Sequence, residues 1–207
     1  MMGVPMKTNR TGKIITFLLA AFVALGVVVG VTGCGQSQEK LIEGSINAEL
    51  DKIKNTSEEN VKEILGDSAI QELQAAGLNP VDFYNALFAK FEYESQGVTI
   101  DGDTATATYQ VTNIDMTAAT QNYMNSVSEW ATSQEAIDIY ASEGQEGLTK
   151  HVVELLMAAL TDPELETVTN PVTFDLTKND EGKWEVADEN QVMQALFAGT
   201  DITQLFG

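Results

Sequence analysis

Apolar side chains recur at helical spacing soon after residue 40 of this chain. Ile42, Ile46, Leu50 and Ile53 are separated by three or four positions. This spacing places them on one side of a helix and predicts an amphipathic helix of about four turns.

The next segment carries start and stop signals for shorter helices. Thr56 and Glu59 have the spacing of a capping box, in which a hydroxyl and a carboxylate bind free backbone amides. Gly66 is expected to end the helix that follows. The Asn79-Pro80 pair then predicts another helix, with asparagine as the N-cap and proline in the first turn.

The period then changes from helical to alternating, which is the pattern of β-strands. A turn at residues 101–103 precedes the alternating segment 104–114 and predicts a tight hairpin. A second hairpin is predicted across residues 172–186, with its turn at residues 179–182. Pro171 should mark a bulge or an edge, because proline cannot donate to a strand ladder.

Between the two hairpins, the pattern over residues 116–162 is again helical. The apolar residues of its first helix share one side: Met116, Ala119, Tyr123, Val127 and Trp130. A last amphipathic helix ends at Gly199. These elements predict an α+β fold, in which N-terminal helices and a helical insertion pack on a curved antiparallel sheet, with a short C-terminal helix.

The first 33 residues differ in composition from the rest. Lys7, Arg10 and Lys13 form a basic N-terminal region, no acidic residue occurs before Glu39, and residues 14–31 carry no charge. This pattern predicts a segment that enters the bilayer with its basic end on the cytoplasmic side. Because the charge-free run is near the lower length limit for a span, an uncleaved transmembrane anchor is the alternative to a cleaved signal.

The end of this apolar run resembles a bacterial lipobox. Residues 31–34 read Val-Thr-Gly-Cys, an aliphatic residue followed by two smaller residues and a cysteine. The resemblance implies a lipid thioether on Cys34, cleavage before it, and a mature chain anchored at the extracytoplasmic face of the membrane. We therefore predict a signal peptide over 1–33, the lipidated cysteine and a spacer over 34–44, and a single acidic domain over 45–207.

Charge and cysteine content narrow the chemistry of the exported part. The chain has 31 acidic and 11 basic residues and a formal charge of −20, and loss of three basic residues with the signal lowers this to −23. Such a surface repels phosphate backbones, which argues against nucleic acid as a partner. Cys34 is the only cysteine, so its lipidation would leave no thiol for a disulfide, a metal or catalysis.

Candidate catalytic groups lack supporting motifs. His151 is the only histidine, and we interpret it as a residue at the boundary of the core. The pairs Glu92/Glu94 and Glu164/Glu166 have the spacing that places two carboxylates on one strand face, where acid–base chemistry is conceivable. A solvated strand face explains both pairs more simply, so we predict no enzyme activity, no metal and no cofactor.

Two stretches, residues 91–115 and 172–199, resemble uncharacterised Gram-positive lipoproteins in their hairpins and closing helix. The resemblance implies an NTF2-like or cystatin-like α+β cone and assigns no catalytic residue. Tyr93, Tyr109 and Trp184 lie on the predicted strands, where they either fill the core or line a pocket for a small apolar ligand.

Together these observations predict a lipid-anchored extracytoplasmic protein that binds an unknown protein or a small apolar ligand without catalysis. The alternatives are a carboxylate-dependent surface hydrolase and a passive structural subunit of an envelope complex.

Overall fold

The computed structural model describes residues 28–29 and 37–200, and its elements confirm the predicted α+β fold. The helices are α1 Gln38–Lys54, α2 Glu58–Ala75, α3 Pro80–Phe88, α4 Met116–Ala131, α5 Gln134–Leu160 and α6 Glu189–Leu196. The strands are β1 Val28–Val29, β2 Glu92–Asp101, β3 Thr104–Ile114, β4 Thr167–Lys178 and β5 Trp184–Val186.

The strands form one antiparallel sheet in the order β1-β5-β4-β3-β2. β2 to β5 make an open four-stranded sheet, and β1 adds two residues at its edge, with Val28 opposite Glu185. β3 pairs with β4 along its whole length without a register shift. β2 shifts its register on β3 between Ser95 and Gly97. Both predicted hairpins are therefore confirmed, and a bulge in β2 interrupts the first.

Pro171 lies within β4, opposite Gln110 of β3, and the register does not shift around it. Of the two outcomes predicted at Pro171, a bulge therefore does not occur. β5 reaches only as far as Leu176 of β4, so at Pro171 the described sheet borders β4 on one side only. The predicted edge is correct, because a proline there needs to donate no hydrogen bond outward.

The core lies between the inner face of the sheet and the helices. The alternation in β3 places four residues on one face, and all of them are buried: Ala105, Ala107, Tyr109 and Val111. The predicted apolar side of α1 is buried as well: Ile42, Ile46, Leu50 and Ile53. α3 contributes aromatic rings, including that of Phe88, which lies 6.0 Å from that of Phe197. The alternating apolar residues of β3 and the helically spaced apolar residues of α1 thus pack in one core.

α1 lies on the inner face of the sheet, and hydrogen bonds from two tyrosines show in which direction it runs. Tyr109, near the middle of β3, bonds to the backbone oxygen of Glu43. Tyr93, which pairs two positions nearer the C-terminal end of β3, bonds farther along α1, to Asp51. The N-terminus of α1 therefore points toward the hairpin turns. The connection from β3 to β4, residues 115–166, leaves the opposite end of the sheet.

The starts and breaks of the shorter helices follow local side-chain chemistry. The N-cap of α2 is Ser57, whose hydroxyl accepts from the amide of Asn60, so the predicted capping by Thr56 is wrong by one residue. Asn79 caps α3 as predicted, accepting from two backbone amides. Gly66 has a φ of 73° and bends α2, which confirms the predicted break.

α4 and α5 form the helical insertion, residues 116–160. Gly144 has φ 65° and ψ −148° and divides α5 into two helical segments. The turn is tight, since a Cβ on Gly147 would lie 2.5 Å from the Cβ of Glu143. The second segment of α5 packs back on α4, where the rings of Trp130 and His151 stack with centroids 4.5 Å apart.

Candidate anchor and interaction surface

The first helix begins soon after the predicted lipidation site. Cys34 itself lies outside the described residues, but α1 begins at Gln38, inside the predicted spacer 34–44. Ile42, also in that spacer, is fully buried in the core. α1 therefore begins seven residues before the predicted domain boundary at residue 45. From Cys34 to Gln38 the chain spans at most about 14 Å when fully extended.

The predicted apolar segment, residues 14–31, lies outside the described residues except at Val28 and Val29. These two residues pair with β5 at the sheet edge, and cleavage before Cys34 would remove them. Within the part of the chain that the structure describes, no helix combines the length and the apolar character needed to cross a membrane.

Two tyrosines bind α1 to the sheet. The Tyr109 hydroxyl lies 2.9 Å from Oδ1 of Asn47 and 3.3 Å from the backbone oxygen of Glu43. The Tyr93 hydroxyl lies 2.7 Å from Oδ1 of Asp51. Burial raises the pKa of Tyr109 to about 12, and burial together with Asp51 raises the pKa of Tyr93. Both phenols therefore stay protonated as donors through the neutral range.

The candidate pocket residues occupy different surroundings. Tyr109 and Trp184 are fully buried, whereas Tyr93 is half-buried. The rings of Tyr93 and Tyr109 are 6.1 Å apart, while the Trp184 ring has Lys178 Nζ 4.6 Å from its centroid. The structure thus brings the two tyrosines together under α1, and all three rings pack in or against the core.

A small cavity of about 10 Å³ lies between α1, β4 and α6. It is lined by Ile46, Glu49, Leu50, Ile53, Phe174, Val192 and Leu196. This volume is about the space that a single water molecule needs. None of the three predicted pocket aromatics lines it, and an organic ligand would not fit inside.

The remaining candidate groups lie at the surface. Glu92 and Glu94 are both exposed on the outer side of β2, as expected for a solvated strand face. Glu164 and Glu166 lie in the connection between α5 and β4, so their predicted position on a strand is wrong. His151 has Nδ1 3.5 Å from Glu154 and a side chain 20% exposed. It lies at the boundary of the core, as predicted.

The helical insertion carries the large apolar side chains that are exposed in the described chain. These are Met124, Ile137 and Tyr140, with 62%, 60% and 55% of their surface exposed. α5 is 27 residues long, yet only four of its residues are buried: Ala136, Gly147, Ala159 and Leu160. The sequence pattern did not predict this surface. The sequence signal for it is the apolar pair 137 and 140, which lies within a stretch that has acidic residues at positions 135, 138 and 143.

The fold and these surfaces define an acidic α+β domain with a helical insertion on an open antiparallel sheet. Comparison with protein-family models, with curated proteins and with solved structures found no match. The resemblance to Gram-positive lipoproteins, and the NTF2-like or cystatin-like cone that it implies, therefore stay predictions.

Proposed function

We propose that this chain is a lipid-anchored extracytoplasmic protein that binds a partner without catalysis and is held to the membrane through Cys34. The observation that carries the proposal is the Val-Thr-Gly-Cys motif at residues 31–34, which directly ends a charge-free segment with a basic start. No other cysteine competes for this role.

The position of α1 supports the tether. Because at most about 14 Å of chain separates Cys34 from Gln38, a lipid on the cysteine would hold the N-terminus of α1 near the headgroups. α1 is fixed to the sheet through Tyr93 and Tyr109, so the anchor would orient the whole domain. The helical insertion leaves the opposite end of the sheet and would face away from the membrane.

Metabolic labelling with radioactive palmitate in a bacterial host tests the anchor. We expect the parent chain to be labelled and to occur in the membrane fraction, with a mass that corresponds to a chain beginning at a diacylglyceryl-modified Cys34. The Cys34→Ser variant should carry no label. A parent chain that keeps residues 1–33 and takes up no label would establish an uncleaved transmembrane anchor and overturn the proposal.

A matched pair at Gly33 separates lipobox recognition from general hydrophobicity. Gly33→Ala keeps a small residue before the cysteine, so labelling and cleavage should persist. Gly33→Leu keeps the apolar character but places a bulky side chain at the cleavage position, so both should fall sharply. Equal labelling of the two variants would contradict processing at this motif.

A further inference from the structure

We propose that the helical insertion is a docking surface for a cationic amphipathic segment of a partner protein. The proposal deepens the binding role inferred above by naming the chemistry of the partner. Two properties of residues 116–149 support it: their exposed apolar side chains and the exclusively negative charge of their ionisable side chains near neutral pH.

The large apolar side chains of this surface lie close together along the chain. Ile137 and Tyr140 are one helical turn apart on the first segment of α5 and are therefore neighbours on its surface. Both are more than half exposed, as is Met124 on α4. Single exposed apolar residues are ordinary on a protein surface. Here, however, the large ones in the described chain fall within one stretch of 17 residues.

The charge around these side chains has one sign. Residues 116–149 contain five acidic residues and no lysine or arginine. The five carboxylates are all exposed: Glu129, Glu135, Asp138, Glu143 and Glu146. Glu135 and Asp138 flank Ile137 in sequence, and the nearest lysine or arginine along the chain is Lys150, ten positions after Tyr140. A partner that covers this surface must offer apolar side chains together with positive charge.

The same charge disfavours other occupants. A second copy of the chain would bring an identical acidic surface against this one, and like charges in contact oppose association. An anionic membrane would be repelled for the same reason. A helix with leucines on one side and lysines on the other offers both the apolar side chains and the positive charge that this surface requires.

Binding of a defined probe tests the proposal. The probe is a fluorescent synthetic helix with leucine on one face and lysine on the other, titrated with the full chain in nanodiscs of zwitterionic lipid. Empty nanodiscs supply the background. We expect saturable binding that weakens with salt, whereas a probe with glutamate in place of lysine should not bind.

Two pairs of variants locate the site. Ile137→Ser with Tyr140→Ser should raise the Kd about tenfold or more, because the apolar contact is lost. Glu135→Gln with Asp138→Asn should raise the Kd about three- to tenfold. The control, Asp180→Asn with Glu181→Gln, makes the same change in net charge in the exposed turn before β5 and should change the Kd less than about twofold.

Three results would overturn the proposal. The first is a parent chain that does not bind the lysine probe. The second is an equal loss of binding in the control pair, which would assign binding to net charge alone. The third is self-association of the chain that disappears in the Ile137→Ser, Tyr140→Ser variant, since the surface would then belong to a second copy. Each can occur while palmitate labelling of Cys34 succeeds, so the two proposals fail separately.

Discussion

Removing the hydroxyl of Tyr109 tests whether its hydrogen bonds hold α1 to the sheet. The Tyr109→Phe variant keeps the buried ring, including its edge contact with Phe174 at 5.7 Å, and removes only the donor to Asn47 and Glu43. Loss of one buried hydrogen bond, with its acceptor left underused, costs about 1–2 kcal/mol. We therefore expect the free energy of unfolding to fall by about that amount near neutral pH.

The pH dependence of this difference has a definite sign. The pKa of Tyr109 is raised from 10 to about 12 in the folded protein by burial. A raised pKa means stability that is fully present below about pH 10 and is lost as the pH rises toward 12. A shift of two pKa units corresponds to a loss of at most about 3 kcal/mol in the free energy of unfolding. Because phenylalanine has no such titration, the advantage of the parent should shrink above pH 10 and reverse near pH 11 to 12.

Urea unfolding of parent and variant, followed by circular dichroism from pH 7 to 11.5, measures this difference. Tyr84 and Tyr93, whose pKa values burial also raises, are present in both proteins and largely cancel in the comparison. Tyr140→Phe is the matched control, because its side chain is 55% exposed, and it should stay within about 0.5 kcal/mol of the parent. Two results would refute the proposed role of the Tyr109 hydroxyl. One is a Tyr109→Phe variant as stable as the parent at pH 7, and the other is a difference in the free energy of unfolding that does not narrow above pH 10.

Three further substitutions test the packing and local structure, each by its urea midpoint. Gly147→Ala places a Cβ 2.5 Å from that of Glu143 and should destabilise the corner of α5 by about 1–3 kcal/mol. Asn79→Ala removes the acceptor for two amides at the start of α3 and should cost about 1 kcal/mol. Phe174→Ala opens a cavity in the core, where Phe174 is 1% exposed, and should cost about 3–5 kcal/mol. Thr173→Ala, on the exposed face of the same strand, is its control and should change stability by less than about 0.5 kcal/mol.

The elements that the sequence predicted well are those whose signals are local. The spacing from Ile42 to Ile53 and the alternation in β3 each require only the geometry of one helix or one strand, and burial confirms both. The break at Gly66 follows from a backbone conformation that glycine adopts readily.

The elements that the sequence predicted poorly depend on contacts between segments. Ser57 rather than Thr56 caps α2, and Asn60 also donates to the backbone oxygens of Lys52 and Asn55, which joins two helices at their ends. The adjacent hydroxyls of Thr56 and Ser57 could not be distinguished without the position of α1. At Pro171 the sequence left two outcomes open, and the choice of an edge over a bulge depends on how far β5 extends along β4, a property of the second hairpin and not of the proline.

The candidate interaction surface could not be predicted from the sequence, because it too depends on contacts between segments. The sequence shows that Ile137 and Tyr140 are apolar, but not that α5 turns at Gly144 and packs back on α4 while leaving these residues open.

The arrangement of the two ends of the sheet connects the proposed anchor with the proposed docking surface. β3 and β4 run side by side over eleven paired residues, a length of about 35 Å. The N-terminus of α1 points toward one end of these strands, and the helical insertion leaves from the other. The proposed tether at Cys34 spans at most about 14 Å, so with the strands upright on the membrane the insertion would lie clear of the lipid headgroups. The strong negative charge of the domain opposes collapse onto an anionic membrane, which would keep the apolar side chains of α5 available to a partner.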